Sequence, residues 1–147
     1  MDIRNFETYI DLQIEHQKDV DNFPMVWIFG TKTDKEILEC ISKIGAKSLN
    51  DCVENGAGGL ILKSDKQKYL DMFKIHELER KAFAESENNL YKMILSEMYN
   101  HEYGYTRDPY DTLIALGKSI LDLETDKKFN RAWCKAEEEC YRNFDEE

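Results

Sequence analysis

Long apolar runs are missing from this chain: the longest, Met25 to Phe29, has strand length, against the ~20 residues that a membrane-spanning helix needs. No membrane span is expected. Paired cysteines are missing too, because Cys40, Cys52, Cys134 and Cys140 form no CxxC. Cys134 and Cys140 diverge by about 240° around a helix, so one helix could not aim both at a metal. Met1-Asp-Ile-Arg4 leads straight into a polar amphipathic segment instead of an apolar leader, so the thiols are expected to be reduced, packed and cytosolic. Positive charge is scarce, with 20 Lys and Arg against 30 Asp and Glu, a formal charge of −10. Phosphate backbones and anionic lipids are held by Lys and Arg that release counterions, so neither nucleic acid nor a membrane surface is an expected partner. A basic partner is favoured, and the same charge also serves solubility. Repeats, linkers and low-complexity stretches are absent, and 147 residues fit a single domain with one core.

The familiar catalytic signatures fail one by one. His101-Glu102 starts like a zinc-protease helix, but position 105 is Tyr where the second His must stand one turn on. His16 and His76 lie far off in sequence, and only the fold could bring them to a common site. Gly117-Lys118-Ser119 resembles the end of a phosphate-binding loop, but position 112 is Thr where that loop needs its first Gly. In Gly56-Ala-Gly-Gly59 the dinucleotide pattern breaks at Ile61, and a strand follows where a helix should begin. No Ser or Cys nucleophile sits in a recognisable signature. No cofactor or metal is expected.

What is present is mostly helical patterning. Asn5 caps an expected helix to Asp21, with Phe6, Tyr9, Ile10 and Ile14 on one side. Met25-Val-Trp-Ile-Phe29 reads as a buried strand. Thr33-Asp-Lys-Glu36 is a capping box before Ile37, Leu38, Ile41 and Ile44, with Gly45 as the stop. The stretch 46–54 carries no clear signal, and Leu60-Ile-Leu62 reads as a second strand. Ser64-Asp-Lys-Gln67 is a second capping box, opening a helix to about Ala84 that turns Tyr69, Leu70 and Phe73 inward. Asn88 caps a helix to Asn100 carrying Tyr91, Ile94, Leu95 and Met98. Tyr103 and Tyr105 alternate with polar residues, as in a short strand or extended loop. Asp108-Pro109 opens a short helix stopped by Gly117. The last helix, Thr125 to about Asn143, buries Phe129, Ala132, Trp133, Ala136 and Cys140 and leaves Glu137, Glu138 and Glu139 to solvent, before an acidic tail, Asp145 to Glu147, that frays. The expected class is α+β: five or six helices with a small two- or three-stranded sheet.

Two segments are candidate binding sites. Gly56, Gly58 and Gly59 permit close backbone approach to a ligand, and equally make a structural turn. His101, Glu102, Tyr103, Tyr105 and Arg107 combine aromatic, acidic and basic groups, the composition of a recognition surface. Their alternative role is packing, with the tyrosines on the core and His101 capping the preceding helix.

Gly58-Gly-Leu-Ile-Leu-Lys63, Asn100-His-Glu-Tyr103, Asp108, Thr112-Leu113 and Ala115-Leu-Gly117 together resemble a family of small uncharacterised proteins carried by bacteriophages and prophages. The resemblance covers roughly residues 56–117. It implies a phage gene product at work in bacterial cytoplasm, with no established activity or catalytic residue. The expected function is then non-enzymatic binding that blocks a host protein, for instance a CRISPR or other anti-phage nuclease with a basic groove, through an acidic surface that includes Glu137, Glu138 and Glu139. Sequestration of a nucleotide signal is the alternative, and an enzyme using His101 and Glu102 as an acid–base pair the second alternative.

Overall fold

The computed structural model describes residues 2–145. In chain order the elements are α1 (Tyr9–Asp21), β1 (Val26–Trp27), α2 (Asp34–Ser42), β2 (Cys52–Glu54), β3 (Gly59–Leu62), α3 (Lys66–Phe83), α4 (Glu87–Asn100), α5 (Tyr103–Thr106), α6 (Tyr110–Ala115), α7 (Ile120–Thr125) and α8 (Lys127–Asp145). The fold is α+β and mostly helical, with more helices than the patterning predicts because α5 and α7 are single turns or little more. No helix among the described residues is long and apolar enough to cross a membrane. The chain divides into two compact units, residues 14–78 with the first two residues and residues 3–13 with 79–147. Helices α1 and α3 each contribute to both.

The first unit holds the sheet, in the order β1-β3-β2 and antiparallel throughout. Val26 and Trp27 pair with Leu60 and Gly59 on β3, and the strand ends there. The expected strand from Met25 to Phe29 is therefore shorter and less buried: Val26 is inside, but Trp27 and Phe29 are exposed and their rings stack at 6.4 Å. The stretch 46–54 supplies β2, which pairs Cys52 with Leu62 and Glu54 with Leu60; so short a strand is specified by its partner more than by its own residues. Val26, Ile41, Ala46 and Cys52 form the core, with Ile44, Leu60 and Leu62 against it. Thr33 and Glu36 close the predicted capping box. The predicted box at Ser64 does not form. Residues Lys63–Asp65 make a 3₁₀ turn, and the Gln67 amide bonds Asp71 at 2.9 Å. Helix α3 also turns a different face inward from the expected one: Leu70 and Phe73 are exposed and His76 is buried.

The second unit is built on α4 and α8. Glu87 pairs with Arg131, Lys135 stands over the Tyr91 ring and Asn143 donates to the Tyr99 hydroxyl, a constant offset of 44 residues. A constant offset means that the two helices run parallel, with α5, α6 and α7 as the return path. The α8 face is the predicted one, Phe129, Ala132, Trp133, Ala136 and Cys140, and it packs with Leu90, Ile94, Met98, Tyr103 and Leu113. Several caps differ from the expectation. Thr8, not Asn5, accepts the amide of Asp11 at the start of α1, and Ser86, not Asn88, caps α4 through the Asn89 amide. Asp108 accepts from the Tyr110 amide, but Pro109, expected at the first helical position, is itself the N-cap of α6, and Gly117 (φ +67°) ends the helix in the left-handed region. Ser119 and Asp122 then form a capping box that opens α7, a signal the sequence reading passed over. Asp145 lies in α8, not in a frayed tail; Glu146 and Glu147 lie outside the described residues. Glu79, with 1% of its surface exposed, accepts from the Arg4 backbone amide at 2.7 Å and from its guanidinium at 2.8 and 2.9 Å.

Candidate functional site

Helix α4 stops at Asn100 because Glu102 adopts φ +53°, and Arg107 repeats the device at φ +57°. Each left-handed residue costs roughly 1–2 kcal/mol, and the pair brackets one helical turn, α5, where the alternation of residues 103–105 suggested strand or extended loop. The turn separates the two tyrosines: Tyr103 is buried, whereas Tyr105 is 75% exposed.

Tyr103 donates to the Glu137 carboxylate at 2.6 Å and accepts from the Tyr141 hydroxyl at 3.1 Å, with its ring edge on Trp133. Burial first, then the bond to Glu137, holds the Tyr103 phenol well above the ordinary tyrosine range. The Arg107 guanidinium lies 3.4 Å from the centre of the Tyr141 ring, within 5.8 Å of Phe144 and 3.9 Å from the Asp145 carboxylate. Glu102 is exposed at the rim. His101 is the C-cap of α4, its backbone N–H bonded to Glu97 and its half-exposed ring 3.4 Å from the Glu97 carboxylate. That carboxylate is buried and accepts from Tyr9 at 2.9 Å, and burial together with Glu97 raises the Tyr9 phenol as well. His101 thus faces a buried, multiply bonded acid, Glu97, and not Glu102.

Beside α5 opens a cleft of about 490 Å³ between the ends of α4 and α8. Met98, Gly104 and Cys140 make its floor, and Tyr99, Glu102, Tyr105, Asn143 and Phe144 its walls and rim. Gly104 is closely packed: a Cβ there would lie 3.0 Å from the Phe144 Cβ and 3.5 Å from the Cys140 sulfur. Burial pushes the Cys140 thiol up, so it is a packed group and not a poised nucleophile. Sequence reasoning singled out Glu102, Tyr105 and Arg107 but missed Tyr99, Tyr141, Asn143 and Phe144. The available signal was the continuation of the α8 apolar face beyond Cys140 to Phe144.

Of the acidic run, Glu137 is held by Tyr103, and Glu138 and Glu139 both reach Arg142, at 3.5 and 2.6 Å. The charge is uneven between the units. Residues 3–13 and 79–147 carry 18 acidic and 11 basic residues, and the remainder 12 and 9, so net charges of −7 and −3 make up the whole.

Gly56, Gly58 and Gly59 belong to the first unit, where they form the hairpin between β2 and β3. Asn55 Oδ1 accepts from the amides of Ala57 and Gly59, and Gly56 and Gly58 take φ +85° and +91°. A Cβ on Gly59 would meet the Trp27 ring at 3.2 Å. The turn role accounts for each glycine, and the two candidate segments fall in separate units.

His16 and His76, distant in sequence, do meet in the first unit. Their rings stack at 3.9 Å with planes 13° apart, and His76 Nε2 donates to Asp19 at 2.8 Å. Stacked rings carry their in-plane lone pairs side by side, whereas a zinc ion needs them to converge at ~2.0–2.1 Å.

Neither a curated protein nor a solved structure matches the chain. A family model described as a family of unknown function (DUF7659) matches residues 8–139, which takes in both units. By that match, the chain belongs to this family, DUF7659.

Proposed function

We propose that the chain is a non-enzymatic binding protein that covers a basic surface on a partner protein, with the α5 end of the second unit as its contact face. The observation that carries this reading is the parallel course of α4 and α8. It brings two helix C-termini, each the negative end of a helix dipole, to one place. Glu102 and Asp145 stand at these ends, Asp145 facing Arg107, and Glu137, Glu138 and Glu139 precede Asp145 along α8, engaged by Tyr103 and Arg142. Exposed Tyr99, Tyr105 and Phe144 supply contact area at low entropic cost. A phage origin, and a host anti-phage nuclease whose nucleic-acid groove is blocked, fit this reading and the resemblance in residues 56–117. The Glu137–Glu139 run does not imitate the regular charge of a duplex, since successive helix residues diverge by about 100° and its carboxylates are partly paired. Occlusion by charge and aromatic contact is the form the proposal takes.

The test is recovery of a partner with tagged protein from phage-sensitive bacteria, followed by competition with duplex DNA. The reading expects a partner that is retained at low salt, released at high salt and displaced by DNA. A partner held equally by a Glu102→Gln/Glu138→Gln/Glu139→Gln variant, or no reproducible partner at low salt, would overturn it.

The cleft between α4 and α8 favours a second reading, a small-molecule site. A nucleotide is a poor fit to it, because Glu102 stands at the rim and Arg107 is engaged with Tyr141 and Asp145. Thermal shift with cyclic nucleotides separates the readings, since a tight ligand raises the melting temperature.

A further inference from the structure

We infer that the cleft between the ends of α4 and α8 receives the side chain of an arginine presented by the partner, an inference that rests on the protein-binding reading above. The chemistry of the walls selects the occupant. The floor is apolar, since Met98 and Cys140 are almost wholly buried and Gly104 offers no side chain. It suits methylenes. Tyr99, Tyr105 and Phe144, which line it, are 46%, 75% and 38% exposed as residues, and π-faces attract a flat cation. Glu102 adds a carboxylate at the rim, which repels phosphate and carboxylate ligands and pairs with a guanidinium. An occupant with an apolar stem and a flat positive head meets all three demands; an ammonium head lacks the planar fork and stacks less well.

The chain displays the same recognition on its own account. The Arg107 guanidinium carbon stands 3.4 Å from the centre of the Tyr141 ring and 5.8 Å from that of Phe144, whose ring also lines the cleft and packs edge-on to Tyr105 at 6.3 Å. Thus Phe144 is near a guanidinium of the chain itself and also lines the cleft. At about 490 Å³ the space is within the range of small-molecule sites, roughly 300–1,000 Å³, and admits one long side chain without displacing Arg107.

Amide NMR of the intact chain tests the assignment, with N-acetyl-arginine amide as the probe and the lysine and norleucine amides as comparisons. Saturable shifts are expected at Gly104, Tyr105 and the Asn143 side-chain amide with the arginine probe, smaller ones with lysine, and none with norleucine. Tyr105→Ala and Glu102→Gln, both at exposed positions, should each weaken arginine binding about five- to tenfold. Equal shifts with norleucine, or shifts that both variants leave unchanged, would overturn the inference. Should a basic polypeptide bind the wild-type chain while the arginine probe leaves these signals unmoved, this inference alone falls. Should the arginine probe bind while no protein partner is retained, the protein-binding reading falls and the cleft assignment stands.

Discussion

A 2.6 Å hydrogen bond joins Tyr103 and Glu137, 34 residues apart, the phenol donating to a carboxylate that the sequence alone would leave to solvent. The bond ties α5 to α8 and sets which of the two tyrosines in that turn reaches the surface. Removing the hydroxyl with Tyr103→Phe keeps the ring contact with Trp133 and loses the charge-assisted bond. A loss of about 1.5–3 kcal/mol in stability is expected, measured by urea unfolding with Trp fluorescence.

The same tyrosine predicts an alkaline limit. Its folded-state phenol titrates above the unfolded one, and so does that of Tyr9. Their contribution is fully present below the unfolded pKa of about 10, because above it the unfolded chain sheds protons that the folded chain retains. Stability should therefore fall progressively above pH ~10. Tyr103→Phe and Tyr9→Phe together should flatten that limb in a series of denaturant midpoints.

Gly104 sits in a helical turn, where propensity alone favours replacement. Packing opposes it, since the Phe144 Cβ already lies 3.0 Å from the place a Cβ would take. Gly104→Val is expected to cost about 1–3 kcal/mol and to shift the Phe144 ring signals, as α5 lifts from α8.

Thr112 is fully buried, and its hydroxyl has no hydrogen-bond partner among the described residues. An apolar group of the same shape removes the desolvation cost of an unmet donor. Thr112→Val should leave the fold intact and raise the melting temperature, corresponding to about 1 kcal/mol; a fall in melting temperature would show that the hydroxyl is bonded in solution.

How far the sequence carries depends on what specifies each part. The long face of α8 was legible to the residue because five apolar positions repeat at helical spacing and all of them enter one core. The Thr33–Glu36 box was legible because its bonds are local. The Ser64 box failed because a 3₁₀ turn took the same residues, and α3 buries His76 instead of Phe73. Strand β2 depends on Leu60 to Leu62 for its register and has little signal of its own. At the candidate site the composition of residues 101–107 singled out a segment of which Glu102, Gly104 and Tyr105 line the cleft. Its conformation did not follow, because two non-glycine residues at positive φ contradict local preference and are held there by tertiary contacts. Tyr99, Asn143 and Phe144 join the site only through the parallel register of α4 and α8, which no local pattern encodes.

The central claim is that the α5 end of the second unit, and not net charge in general, makes the basic contact. Titration calorimetry with an arginine-rich peptide across a salt series tests this directly, comparing Glu102→Gln/Glu138→Gln/Glu139→Gln with an equal neutralisation in the first unit, Asp34→Asn/Glu39→Gln/Glu54→Gln. The account predicts that affinity falls steeply as salt rises, and that the second-unit variant loses at least tenfold while the first-unit variant binds like wild type. Equal losses in the two variants, or an affinity indifferent to salt, would contradict it.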